Sequence, residues 1–204
     1  MRKDEKPVIT ILLVAVNIIT FIVLSFFGRS EDASFMIDHG AMYVPYLIHY
    51  GDYSTLFTSM FLHFGFSHLM NNMLVLFLLG SVLEKEIGRW KYLLLYLLSG
   101  LGGNVLSAAA DLITKKFFVS AGASGAIFGV IGALLLIMIR NHGHLRTLSS
   151  RGLVFMVICS LYHGFTSTGV DNMAHIGGLV SGFIVAALLY RKSNIESGPY
   201  IYVR

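Results

Sequence analysis

The hydrophobic pattern of this chain is a series of long, nearly charge-free apolar runs separated by short polar stretches. The first, Val8 to Gly28, holds 21 residues without a charge. At 1.5 Å per residue a helix of that length reaches roughly 32 Å, enough to cross a hydrocarbon core about 30 Å thick. Phe66–Leu83, Trp90–Ala110, Ala123–Ile139, Gly152–Gly169 and Asn172–Tyr190 follow, and across all six runs only Lys91, at the edge of one, is charged. The pattern predicts an all-α polytopic membrane protein with six transmembrane helices. The first run is too long for the apolar part of a cleaved signal, and Phe27-Gly28-Arg29-Ser30 lacks a small-x-small cleavage pattern, so it reads as a retained span.

Composition adds the reason a soluble fold is excluded. Charged residues make up 13% of the 204 and hydrophobic residues 55%, against about 25% charged in an average globular chain, and the mean hydropathy is +0.73. There is too little charge to cover a water-facing surface. The net charge of +4 reports topology, because basic loops stay on the cytoplasmic side. Twelve of the fifteen lysines and arginines fall on one side of the spans: Arg2, Lys3 and Lys6; Lys85, Arg89 and Lys91; Arg140, Arg146 and Arg151; Arg191, Lys192 and Arg204. Only Arg29, Lys115 and Lys116 fall on the other. Both termini are therefore expected in the cytoplasm, and no nucleic-acid partner is needed to explain the basic balance.

The expected organisation is a basic leader at 1–7, a six-helix domain over 8–190 and a cytoplasmic tail at 191–204. The one long connection, 29–65, faces outward and contains Met42-Tyr43-Val44-Pro45-Tyr46-Leu47-Ile48. A loop so apolar is expected to lie in the outer interface or fold back on the bundle. The single cysteine, Cys159, permits no internal disulfide.

Polar groups at membrane depth are costly and mark candidate sites. His68 and Asn72 lie one turn apart on the second span, Ser124 opens the fourth within Gly122-Ala123-Ser124-Gly125, and His175 lies near the start of the sixth. All three spans begin on the outer side, so the four residues share one slab. A serine needs a general base to become a nucleophile, and histidine is the usual one. The backbone N–H of Ser124 at a helix N-terminus, with His68 and Asn72, supplies the donor types an oxyanion requires. Gly122 suits an irregular backbone and close substrate approach. Gly125-x-x-x-Gly129 and Gly178-x-x-x-Gly182 give small-residue faces that would draw the fourth and sixth spans together. Phe128, one turn beyond Ser124, is placed to lie beneath the His175 ring. The predicted spans hold no carboxylate, which implies a Ser–His dyad.

Taken singly, each feature has an ordinary structural explanation. Serine and glycine pack membrane helices, and a bundle histidine is often only hydrogen-bonded. Asn17 and Asn104 read as inter-helix hydrogen bonders, His163 as a packing residue, His142 and His144 as solvated, and Cys159 as a small core residue. The conjunction of serine, base and donors at one depth favours chemistry.

Gly122-Ala123-Ser124-Gly125, Ala174-His175-Ile176-Gly177-Gly178 and His63-x4-His68-x3-Asn72-Met73 together resemble the rhomboid intramembrane serine proteases. The likeness extends through Leu56–His63 and Glu84–Gly88 and covers roughly Gly51 to Tyr190, in order. It implies a rhomboid-like bundle of the bacterial six-helix minimal form, in the plasma membrane, with the site opening to the extracytoplasmic side. It further implies Ser124 as nucleophile, His175 as base, His68 and Asn72 lining the oxyanion region, and His63 near the active-site water. Partners would be transmembrane protein substrates and the bilayer, with no cofactor or metal. One departure stands out: a Trp-Arg pair frequent in the family's first outer loop is replaced here within Gly51-Asp52-Tyr53-Ser54-Thr55, which bears on loop anchoring and leaves the dyad intact.

The expected reaction is hydrolysis of a peptide bond in or beside a transmembrane segment through an acyl-enzyme. A helical peptide bond is shielded, so small or helix-destabilising residues are expected where cleavage occurs. The predicted fourth span is short, about 25 Å from Ser124 to Arg140, so Phe117–Ala123 is expected to dip into the membrane beneath a water-filled cavity. Other protease classes fit poorly: His-Glu-x-x-His is absent, Asp111 and Asp171 sit at span ends, and Lys115 and Lys116 lie outside the spans. A non-proteolytic rhomboid-like chaperone or quality-control binding protein is the competing reading, which loss of Ser124 or His175 would have favoured.

Overall fold

The computed structural model describes residues 6–141, 144–145, 148–149, 151–152, 154–155, 158 and 169–190. Most of the predicted fifth span with Cys159 and His163, as well as His142 and the 191–204 tail, lies outside the described residues. Among the described residues, four helices are long and apolar enough to cross a membrane: α1 (Val8–Ser25), α5 (Gly65–Ile87), α6 (Arg89–Thr114) and α8 (Asn172–Leu189). A shorter apolar helix, α7 (Ser124–Arg140), packs among them. Between α1 and α5 the chain forms α2 (Ala33–Asp38), β1 (Met42–Tyr43), α3 (Val44–Tyr50) and α4 (Thr55–Thr58), then a 3-10 turn over Ser59–Phe61. β2 (Val119–Ser120) pairs antiparallel with β1, Met42 opposite Ser120 and Tyr43 opposite Val119. β3 (His144–Leu145) and β4 (Leu148–Ser149) form a second small ladder.

The boundaries differ from the apolar runs for local reasons. α1 stops at Ser25 rather than Gly28, because the Phe26, Phe27 and Gly28 N–H groups turn back onto the carbonyls of Val23 and Leu24. Gly28 then leaves room for α2, since a Cβ there would lie 2.5 Å from the Phe35 ring. α5 and α6 run beyond Leu83 and Ala110 and so take in Glu84 and Asp111, which corrects the expectation that no carboxylate lies within the spanning helices. Glu84 is buried, and its carboxylate accepts from Ile9 N (3.0 Å), Thr10 N (2.8 Å) and Thr10 Oγ1 (2.8 Å). α1 begins after Pro7 without a side-chain cap of its own. A carboxylate from α5 therefore satisfies its orphan N–H groups and faces the positive end of its dipole.

α7 is the buried centre, with 13 of its 17 residues buried, as expected of a helix apolar on every side. Its glycines and those of α8 interlock. A Cβ on Gly178 would sit 1.9 Å from the Gly125 carbonyl oxygen, and one on Gly182 would sit 2.0 Å from that of Gly129. The two predicted small-residue faces thus bring two backbones into contact no side chain would permit. At the far end of α8, Lys91 Nζ donates to the Leu189 carbonyl (3.1 Å), and Arg140 donates to those of Tyr190 (2.8 Å) and Ala187 (3.3 Å). Basic side chains thereby satisfy carbonyls that a helix C-terminus leaves unpaired. α1 turns Ile11, Leu12, Val16, Ile19, Ile22 and Val23 outward, an apolar exterior suited to lipid.

Candidate active site

Ser124 is the first residue of α7 and His175 lies in the first turn of α8, so the glycine-mediated packing of these helices sets their separation. His175 Nε2 and Ser124 Oγ are 2.9 Å apart, within hydrogen-bond reach. The Phe128 ring lies parallel to the His175 ring, with centroids 4.3 Å apart and an 11° interplanar angle. That contact holds the plane of the imidazole from one face. His175 Nδ1 is buried and makes no hydrogen bond among the described residues, so no carboxylate orients the ring from behind.

The backbone ahead of Ser124 is bent by Gly122, whose φ of +145° disfavours any residue with a side chain. Gly122 N donates to the Ser59 carbonyl (2.9 Å), which ties this segment to the 3-10 turn. A Cβ at Gly122 would meet His68 Cε1 at 2.9 Å and Nε2 at 3.0 Å, with Ser124 Oγ at 3.7 Å. The His68 ring, the Gly122 backbone and the Ser124 hydroxyl are thus neighbours. Asn72 lies one turn further along α5, buried, and its Nδ2 has no partner among the described residues. An amide donor in that state is available to an oxygen brought in by a ligand.

His63 supports this arrangement from outside the spans. Its ring packs edge-on to that of His68 at 5.1 Å, and its Nε2 accepts from Ala123 N at 3.4 Å. Burial, with a smaller contribution from His68, pushes its pKa down to about 3. At neutral pH the ring is therefore uncharged, and Nε2 holds the chain one residue before Ser124.

Two predicted hydrogen bonders resolve differently. Asn104 Nδ2 reaches the Leu56 carbonyl (2.7 Å) and Ser59 Oγ (3.0 Å), joining α6 to the turn beneath Gly122. Asn17 Nδ2 instead bonds the Leu13 carbonyl of its own helix. Asp171 sits at a span end in the sequence, with no further role marked by its spacing. It caps α8, accepting from Ala174 N (2.9 Å), and it also accepts from Ser107 Oγ (2.5 Å) and Ser120 Oγ (2.6 Å). An Asp just before an apolar helical run signals an N-cap, but no spacing rule reveals the two distant serines.

Comparison with known proteins supplies the frame for this geometry. The rhomboid domain family model matches residues 50–192. The chain is 37% identical over 188 residues to the rhomboid protease GluP of Bacillus subtilis, covering 92% of this chain and 36% of that protein. It is 38% identical over 145 residues to RHOMBOID-like protein 5 of Arabidopsis thaliana, covering 70% of this chain and 46% of that protein. RHOMBOID-like protein 4 of the same plant is 39% identical over 145 residues, covering 68% of this chain and 36% of that protein. The chain thus spans between about a third and a half of these relatives. The matched region runs from the end of α3 to beyond α8, taking in every residue from His63 to His175 described above, and the chain belongs to the rhomboid family.

Proposed function

We propose that the chain is an intramembrane serine endopeptidase that hydrolyses peptide bonds in or beside the transmembrane segments of other membrane proteins. The observation that carries this reading is the 2.9 Å approach of Ser124 Oγ to His175 Nε2, at two helix N-termini within a rhomboid domain. In the proposed reaction Nε2 takes the hydroxyl proton as Oγ bonds to the scissile carbonyl carbon. The oxygen that gains charge is met by the Ser124 N–H, the His68 ring and the Asn72 amide. Imidazolium returns the proton to the departing amine nitrogen as the C–N bond breaks, leaving an ester on Ser124. A water molecule then gives its proton to Nε2 and attacks the ester carbon. Ser124 Oγ leaves with that proton, and the acid is released.

We further propose six spans with both termini on the cytoplasmic side and the site opening to the opposite, extracytoplasmic side of a bacterial plasma membrane. The domain would occupy 8–190, with the outer loop at 29–65, the leader at 1–7 and the tail at 191–204. The end-to-end contacts support this topology. The start of α1 meets Glu84, the start of α6 and the end of α7 meet the end of α8, and the dyad lies at the other end. α7 and α8 both run away from the dyad, so the chain between them has to return across the membrane, and Gly152–Gly169 is the apolar run available.

The test is cleavage of a transmembrane test substrate by purified protein in liposomes. Ser124→Ala and His175→Ala are each expected to lose at least about a thousandfold in kcat, and a fluorophosphonate probe should label wild type and spare Ser124→Ala. Equal cleavage by all three proteins would refute the mechanism. Substrate capture without cleavage by wild type would support the chaperone reading instead.

A further inference from the structure

We infer that Asp171 is a positioning residue for the proposed dyad, an inference that rests on the Ser124–His175 reading above. A helix cap needs one bond, and Asp171 makes it with one oxygen, Oδ1, to Ala174 N. The other oxygen, Oδ2, is taken by two hydroxyls from different elements, Ser107 Oγ of α6 at 2.5 Å and Ser120 Oγ of β2 at 2.6 Å. Capping does not require either of them. The three contacts fall where they bear on the dyad. Ala174 immediately precedes His175, Ser120 lies four residues before Ser124, and buried Ser107 belongs to a helix that touches α8, since a Cβ on Gly103 would lie 2.6 Å from the Ala174 carbonyl oxygen.

Between Ser120 and Ser124 the chain contains Gly122 at φ +145°, the residue least able to hold a conformation by itself. Its N–H is fixed to Ser59, and upstream Ser120 is held twice, by its backbone pairing with Met42 in β1 and by its hydroxyl on the Asp171 carboxylate. Hydrogen bonds from hydroxyls to a carboxylate oxygen are directional and so fix the groups that make them. One side chain therefore references both the serine-bearing segment and the histidine-bearing helix to the same point on α6. It acts through Ser120 and Ala174 and touches neither reacting atom.

The capping and positioning roles can be separated because serine is a good N-cap but is too short to hold both distant hydroxyls. Asp171→Ser is expected to lower the thermal midpoint only modestly, by the loss of two hydrogen bonds with the cap kept, while kcat on the transmembrane substrate falls about tenfold or more, with KM within about twofold. Fluorophosphonate labelling of Ser124 should slow in parallel. The pair Ser107→Ala/Ser120→Ala, which leaves the cap intact, should reproduce the loss and serves if Asp171→Ser does not fold. Asp171→Asn, whose oxygen still caps and whose amide can donate to both serine oxygens, should recover most of kcat. Wild-type kcat in Asp171→Ser and in the serine pair would overturn the positioning role. Ser124→Ala in the same assay keeps the two readings apart: if it still cleaves, the dyad itself is wrong, and if it is dead while the other variants are unimpaired, only the positioning role is lost.

Discussion

At the scale of single residues, the site depends on two groups whose behaviour follows from burial and backbone geometry. His63 is almost wholly buried, and its pKa is lowered from 6.5 to about 3. As pH falls below about 6.5 the unfolded chain takes up a proton that folded His63 refuses, so stability is lost progressively from pH 6.5 toward 3. The linkage slope is about 1.4 kcal/mol per pH unit for one such group, or about 2 kcal/mol between pH 6.5 and 5. His63→Gln keeps an acceptor for Ala123 N and removes the titration. Its thermal midpoint in detergent is expected to fall less than that of wild type between pH 7.5 and 5, and identical pH profiles would rule the linkage out. Gly122 is limited instead by sterics: Gly122→Ala places a Cβ 2.9 Å from the His68 ring at a φ of +145°. Strain of that kind costs about 1–3 kcal/mol. The displaced ring should lower kcat by about tenfold to a hundredfold, measured with the same transmembrane substrate.

At the scale of elements, the distance between Ser124 and His175 is a property of helix packing. Gly178 and Gly182 lie against the carbonyls of Gly125 and Gly129 at distances no Cβ can occupy. Gly178→Val should push α8 away from α7 and lower both stability, by about 1–3 kcal/mol, and kcat, by about a hundredfold. Thermal melting with parallel kinetics would show the two losses together. A normal melt with normal turnover would mean that the packing is not what sets the site. These glycine faces were legible in the sequence because a four-residue spacing on two apolar runs has a direct geometric meaning. Ser124, His175 and Phe128 were legible for the same reason, each at a fixed offset from a helix start or from another residue on one face. Glu84 and Asp171 were not. Each lies at the edge of an apolar run and bonds partners at least fifty residues away in the chain, contacts that no local spacing reveals even where, as at Asp171, the residue type signals a cap. Asn17 shows the same limit: its Nδ2 bonds the Leu13 carbonyl of its own helix while its buried Oδ1 has no partner among the described residues, a division that sequence does not reveal.

At the scale of the molecule, the fold sorts its chemistry to opposite ends. One end carries Glu84 of α5 against the start of α1, with Lys91 and Arg140 on the last carbonyls of α8, and the other carries Ser124 and His175. In the proposed orientation the basic end is cytoplasmic, which agrees with the placement of twelve of the fifteen basic residues and with retention of basic segments inside. Two consequences can be measured together. A fluorescent protein that matures only in the cytoplasm should be bright when fused after Arg204. An alkaline phosphatase active only outside should be active when the chain is truncated within 29–65 and inactive when truncated near Lys85. Bright phosphatase activity from the Arg204 fusion would require an odd number of crossings and would remove Gly152–Gly169 as a span. That result would contradict the parallel course of α7 and α8, because two helices leaving the dyad in the same direction need a return between them.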